Sequence, residues 1–275
     1  MNLNELRKKH EELLQGGQQK SSSGGKLENY LKVEPGKNII RILPWKDDSK
    51  QFFSEAVIHR YESEDGRIQN YYCRKTQQES CPVCDFYFDL WKMHKELGLP
   101  PKTKSKFGDL ATKIKGTPRY YLNVVDRRHL ESNPEDTTGA VKIFSTGQKV
   151  FKKIMDGIFN SDYMDESDPD NTTVLSLKKG NDFVLELGKS GEFNNYDQST
   201  FRIKKTPAGN DREIRAWMES MHDIHALIKI GDYDDGKKIV DALRISVDGV
   251  RGPQKSSSDD DDDLGEKKFN KELKV

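Results

Sequence analysis

The sequence predicts an α+β protein with a mainly β core, a small barrel or curled sheet carrying attached helices. Three observations support this. The strand-like runs are short and well separated, and several alternate apolar with polar residues. Apolar spacing of helical period is secure in only two stretches. No internal repeat and no alternating βαβ pattern connects them. A length of 275 residues suits one elaborated domain with arms, or two small domains.

From the N-terminus, Leu3, Leu6, Leu13 and Leu14 lie at roughly helical spacing around the basic clump Arg7-Lys8-Lys9-His10. Gly16 and Gly17 should end that helix, and the Gln, Ser and Gly residues that follow read as a linker. Residues 1–25 are thus expected to be a basic arm and residues 26–251 the folded core. Strands are predicted at Asn38–Leu43, Phe52–Tyr61, Arg119–Val125, Val141–Phe144, Asp182–Leu187 and Thr200–Lys204. A helix over Lys149–Phe159 puts Val150, Phe151, Ile154 and Ile158 on one face. A second, over Asp211–Ile230, does so with Ile214, Trp217, Met218, Met221 and Ile228; it would pack His225 in the core and leave His222 solvated. Residues 252–275 are expected to be a flexible acidic arm, because the run Asp259, Asp260, Asp261, Asp262, Asp263 repels itself and cannot bury a face. Beyond it, Glu266–Val275 carries Phe269, Leu273 and Val275, a sparse pattern for a short docking helix.

Lys and Arg number 46, as do Asp and Glu, so a uniformly basic coat is excluded while segregated charge is not. No run approaches the ~18 apolar residues of a membrane span, and the start lacks the apolar core of a signal peptide. Three cysteines, an odd number, argue against a disulfide framework and for a reducing compartment. A soluble, cytosolic protein is expected.

The sharpest pattern is His59-x13-Cys73-x7-Cys81-Pro82-Val83-Cys84, which gathers all three cysteines into twelve residues. Zinc takes four tetrahedral N and S ligands, and a Cys-x2-Cys knuckle offers two thiolates from one tight turn. Four protein ligands leave no open position, so one structural Zn2+ per chain is expected. A lone Cys-x-x-Cys also admits a redox reading, but its usual βαβ setting is missing. The zinc-deaminase signature fails because Glu62 lies three residues after His59, not two.

Charge is segregated. Between Lys102 and Arg128 eight basic residues (Lys102, Lys104, Lys106, Lys113, Lys115, Arg119, Arg127, Arg128) face two acidic ones (Asp109, Asp126), 8 − 2 = +6. Phe107, Tyr120 and Tyr121 are interleaved with them, and Tyr71, Tyr72, Phe86, Tyr87 and Phe88 crowd the ligand set. Phe193 and Tyr196 stand in a polar loop where core packing explains them poorly. Cations that track phosphates and rings that stack bases are what single-stranded nucleic acid needs. The competing reading turns the strand aromatics inward and makes the lysines a solvated face.

These residues resemble the single-stranded DNA-binding (helix-destabilising) protein family of T-even-type bacteriophages. The similarity runs from about Leu27 to about Val250. It rests on Ile40-Arg-Ile-Leu-Pro44, the His…Cys…Cys-Pro-Val-Cys set, Arg119-Tyr-Tyr-Leu-Asn-Val-Val125, Gly147-Gln-Lys-Val-Phe151, Asp182-Phe-Val-Leu185 and Phe193-Asn-Asn-Tyr-Asp-Gln-Ser-Thr-Phe201. The resemblance implies an OB-fold core with an inserted zinc subdomain at about 59–90, held by His59, Cys73, Cys81 and Cys84. It implies DNA contacts at Arg41, Phe86, Lys113, Lys115, Tyr120, Tyr121, Phe144, Phe193 and Tyr196, to which the basic run adds Arg119; Phe86 and Phe144 replace family tyrosines. It further implies self-association along DNA through the N-terminal arm, where Arg7, Lys8 and Lys9 lack the family's adjacent Ser or Thr. The acidic arm, Asp259–Asp263, would dock phage replication and recombination proteins. The expected setting is the cytoplasm of an infected bacterium, with roles in DNA replication, recombination and repair, no membrane and no catalysis. The alternatives are a zinc-bearing protein–protein adaptor whose basic face is incidental, and a nuclease, for which Asp162, Asp165, Glu166, Asp168 and Asp170 form only a loop cluster.

Overall fold

The computed structural model describes residues 28–46, 50–63, 65–100, 103–165 and 168–248. Both expected arms, with Arg7, Lys8, Lys9 and Asp259–Asp263, lie outside the described residues. In chain order the elements are β1 (Gly36–Ile42), β2 (Phe53–Glu62), β3 (Ile68–Tyr72), α1 (Pro82–Glu96), α2 (Lys106–Ile114), β4 (Thr117–Asp126), α3 (Arg127–Ser132), β5 (Val141–Gly147), α4 (Gln148–Ile158), β6 (Met164–Asp165), β7 (Asp168–Thr172), β8 (Gly180–Ser190), β9 (Phe193–Asn195), β10 (Thr200–Thr206), α5 (Asp211–Ser220) and α6 (Tyr233–Asp248). The architecture is mixed α+β, with a mainly antiparallel, open sheet. The chain divides into two compact units, Met1–Ala56 with Thr117–Lys229, and Val57–Gly116 with Ile230–Val275.

In the first unit β1 lies between β4 and β8, with Ile40 opposite Asp126 on one side and Phe183 on the other. β4 also pairs with β5, and β8 with β9 and β10, all antiparallel. β4 reads Tyr-Tyr-Leu-Asn-Val-Val because it is buried on both faces, unlike a half-solvated strand. Tyr120, Leu122 and Val124 join Val150, Phe151, Ile154 and Ile158 of α4 in one core cluster, so the predicted face of that helix is the one buried. Val125 belongs to a second cluster with Leu43, Val141, Trp217 and Met221.

The helix expected over Asp211–Ile230 stops at Ser220. Asn210 and Glu213 start it with a reciprocal capping box. Met221 then turns to extended backbone (ψ 135°), and the Asp223 carboxylate accepts from the backbone of His225 and Ala226, local bonds that compete with helix. His225 therefore leaves the core, its ring edge-on to Trp45 at 4.6 Å. His222 is not solvated: its backbone N–H donates to Asn123, its ring lies 3.1 Å from the Val141 carbonyl, and burial lowers its pKa.

The second unit holds the part of β2 from Val57, its partner β3, and helices α1, α2 and α6. His59 pairs with Tyr71 across the hairpin. Val83, Cys84, Phe86 and Leu90 of α1, Ala111 and Ile114 of α2, and Val240 and Leu243 of α6 form its core with Cys73 and Cys81.

Candidate metal centre and basic-aromatic surfaces

β2 delivers His59, the end of β3 leads into Cys73, and Cys81 and Cys84 sit at the N-cap and in the first turn of α1. Pro82 occupies the first helical position, where no N–H is required. All four ligand atoms are buried and lie within 4.8 Å of one another. Cys84 Sγ is 3.4 Å from both Cys73 Sγ and His59 Nε2, and Cys81 Sγ is 3.7 Å from His59 Nε2. A tetrahedron with ligands ~2.0–2.3 Å from its centre has edges of ~3.3–3.8 Å, the range in which these three separations fall.

The charges support the same conclusion. Burial alone would push the His59 imidazolium down, but Cys73 and Cys81 outweigh it and hold its pKa at about 10. Cys81 is pulled far down by its hydrogen bonds with Cys73 and Cys84, while Cys73 and Cys81 drive Cys84 far up. Three thiolates this close repel one another, and a divalent cation among them removes that conflict. The donor set fits such an ion.

The surroundings hold the ligands in place. His59 Nδ1 lies 2.7 Å from the Ile114 carbonyl, a bond that turns Nε2 toward the sulfurs. Gly116 leaves room for that ring: a Cβ there would stand 2.8 Å from Val57 Cγ1 and 3.2 Å from His59 Cε1. The Cys73 N–H donates to the Val57 carbonyl at 2.8 Å. Next to Cys73, Arg74 donates to the Gly231 carbonyl, and Tyr71 donates to that of Asp232 at 2.9 Å.

The expected DNA contacts separate by exposure. In the second unit Lys113 and Lys115 are exposed on either side of Ile114, at the end of α2. Phe86 is buried in the core around the cysteines, with the Arg244 guanidinium 5.3 Å above its ring. In the first unit Phe193 is 78 % exposed on β9, Arg119 is half-buried, and Tyr196 is half-buried against the main core. Arg41, Tyr120, Tyr121 and Phe144 are buried. Arg41 donates to Asp182 at 2.8 Å and to Thr206, so its charge is already neutralised. Tyr120 stacks on Phe151 at 3.8 Å, its ring face covered, and burial with Glu55 pushes its hydroxyl up to about 12. Five of the residues expected to contact DNA, Arg41, Phe86, Tyr120, Tyr121 and Phe144, are thus buried in this structure.

Sequence reasoning missed one exposed run. β10 is an edge strand whose register slips between Phe201 and Lys205, and Arg202, Ile203, Lys204 and Lys205 all face solvent. Lys189 is exposed on β8 and donates to Asn194. The β8–β9 turn at Gly191 (φ +61°) presents Phe193 opposite Ser190, next to Lys189, while β10 pairs with the other end of β8, residues 180–184. The signal was present in Arg202-Ile-Lys-Lys205, an apolar residue among cations at the end of a predicted strand.

Residues 34–244 match the family described as gp32 DNA binding protein like. The chain is 30% identical over 188 residues to the single-stranded DNA-binding protein of Enterobacteria phage T2, a match covering 66% of this chain and 56% of that protein. The protein of the same name from Enterobacteria phage T4 is 29% identical over the same length and shares. The chain thus spans a little over half the length of these relatives. Among the described residues no helix is long and apolar enough to cross a membrane. With most of its length matched, and with the ligand quartet assembled as the resemblance implies, the chain belongs to the gp32-like DNA-binding family of T-even-type phages.

Proposed function

We propose that the chain binds single-stranded DNA without reading its sequence, coating the strand and removing its secondary structure. The observation that carries this is Phe193, a ring 78 % exposed on β9 and one step along the ladder from the exposed Lys189 of β8, with further exposed cations, Arg202, Lys204 and Lys205, on β10 of the same sheet system. A large aromatic left in water beside cations suits base stacking next to a phosphate track. That both phage relatives are named single-stranded DNA-binding proteins supports it. No bond is made or broken in this reading. We read the open antiparallel sheet as the framework of an OB-fold, and the setting as phage DNA replication, recombination and repair in the host cytoplasm. Arg7, Lys8 and Lys9 serve self-association in this reading, and Asp259–Asp263 dock partner proteins.

We further propose that the metal is one structural zinc ion on His59, Cys73, Cys81 and Cys84. The ion supplies fixed charge and no open position for chemistry. Its link to binding runs through Ile114: the carbonyl held by His59 lies between Lys113 and Lys115, so the ligand set also fixes where these two cations stand. The test is fluorescence anisotropy with a labelled mixed-sequence oligonucleotide, single-stranded and as a duplex. The single strand should bind at least tenfold tighter; equal affinities would overturn the proposal.

A further inference from the structure

The outer side of α1 and the turn after it form an apolar surface that the metal centre does not use. Phe88, Trp91, Met93, Leu97 and Leu99 are half of the ten large hydrophobic side chains exposed among the described residues. Tyr87, Phe88, Trp91 and His94 form a chain of edge-to-face rings with centroids 5.1, 6.5 and 5.3 Å apart. Phe88 and Trp91, three residues apart, share one side of α1, and an exposed aromatic pair of this kind marks a candidate interaction surface.

Two features indicate what covers it. First, α6 packs on α1: Arg244 reaches Asp89 at 3.7 Å, and Ile245, the next residue, is exposed. α6 therefore runs against the helix that carries these side chains. Residues 249–263, rich in Gly, Ser and Asp, are a 15-residue tether with an expected span of about 20 Å, comparable to the ~22 Å length of a helix such as α1. Second, the segment after the tether, Leu264–Val275, places Phe269 and Leu273 four residues apart, with four lysines against two glutamates around them. Asp85 and Asp89 flank Phe88 on the exposed side of α1.

We propose that Leu264–Val275 docks in cis on the apolar face of α1, with Phe269 and Leu273 against Phe88 and Trp91. The docking closes residues 249–263 into a loop and holds Asp259–Asp263 against the metal-bearing unit. It does not depend on nucleic-acid binding, and its test contains no DNA. The chain has three tryptophans, so three indole N–H signals appear in a 15N-labelled NMR spectrum, and Trp91→Phe assigns the relevant one. The metal-loaded full chain should show the Trp91 signal displaced from its position in a chain ending at Asp263, while the buried Trp217 stays put. A synthetic peptide of residues 264–275 added to the shortened chain should move the signal to the full-chain position, with half-saturation near the ~1 mM effective concentration of a short flexible tether or below it. Full-length Phe269→Ser/Leu273→Ser should return the signal to the shortened-chain position. A Trp91 signal that coincides in the full and shortened chains and does not respond to peptide overturns the proposal. So does a displacement that grows with protein concentration alongside dimer in sedimentation, which would assign the face to a second copy.

Discussion

The two units solve the same problem, holding a small core together, by opposite means. The first has a large sheet covered by α4 and closes a deep polar spot with charge: Asp182 accepts from Arg41 at 2.8 Å and from Arg127 at 2.9 Å. Gly180 leaves space for it, since a Cβ there would collide with Ser176 and the Arg41 guanidinium. The second has a hairpin, three helices and a thinner core, and its polar centre is the His59–cysteine quartet. A sheet core this size stands on packing, with the ion cluster fixing the register of β1 and β8. A core built around three sulfurs stands on what binds them. The comparison yields four predictions.

The largest effect is metal removal. Structural zinc sites contribute roughly 10–16 kcal/mol in small domains, far more than the second unit can replace. After chelation, hydrogen exchange followed by mass spectrometry should show residues 57–116 losing protection while residues 117–229 keep theirs. Because Tyr71 and Arg74 grip the turn at 231–232, α6 should lose protection with them.

Next is the clamp of the first unit. Asp182→Asn leaves Arg41 buried without its counter-ion, a loss of about 3–5 kcal/mol, measured by urea unfolding, with zinc content unchanged. Burial alone would raise the Asp182 pKa, but Arg127 and Arg41 outweigh it and the net shift is downward. A depressed folded-state pKa contributes stability that is complete above the unfolded value of about 3.9 and is lost as pH falls through the lower folded value. Stability of the wild-type first unit should therefore drop below about pH 4, and that part of the drop should vanish in Asp182→Asn.

The third separates surface rings from core rings. Phe193→Ala should weaken single-stranded DNA binding by ~1–3 kcal/mol and leave Tm nearly unchanged. Tyr196→Ala, half-buried against the core, should lower both Tm and affinity, and Tyr120→Ala should lower Tm steeply, by analogy with other buried aromatics at ~3 kcal/mol or more. The smallest effect is Lys115→Ala, which should flatten the slope of log affinity against log salt by up to about 0.7.

What the sequence made legible follows the same division. The quartet could be read because metal ligands are a question of residue type and spacing, and the face of α4 because four apolar residues repeat at helical period. α1 was missed because Phe88, between the buried Phe86 and Leu90, and Trp91 and Met93, just after Leu90, are exposed, which blurs the stripe. α2 was missed because it is short and carries Gly108 inside it, placed against His94. The inward turn of Tyr120 depends on Phe151, and that of Arg41 on Asp182, 141 positions away. Such partners come together only in the fold, so residue type alone does not reveal the burial of these side chains.

In the proposed function, exposed cations and Phe193 bind single strands through phosphate and ring while a metal ion holds the second unit together. The most direct test is an anisotropy titration of a labelled oligo(dT) with the zinc-loaded full chain across a series of salt concentrations. The account predicts that log affinity falls linearly with log salt, by about 0.7 per phosphate engaged, with the same line for a mixed-sequence strand. An affinity indifferent to salt, or confined to one sequence, would contradict it.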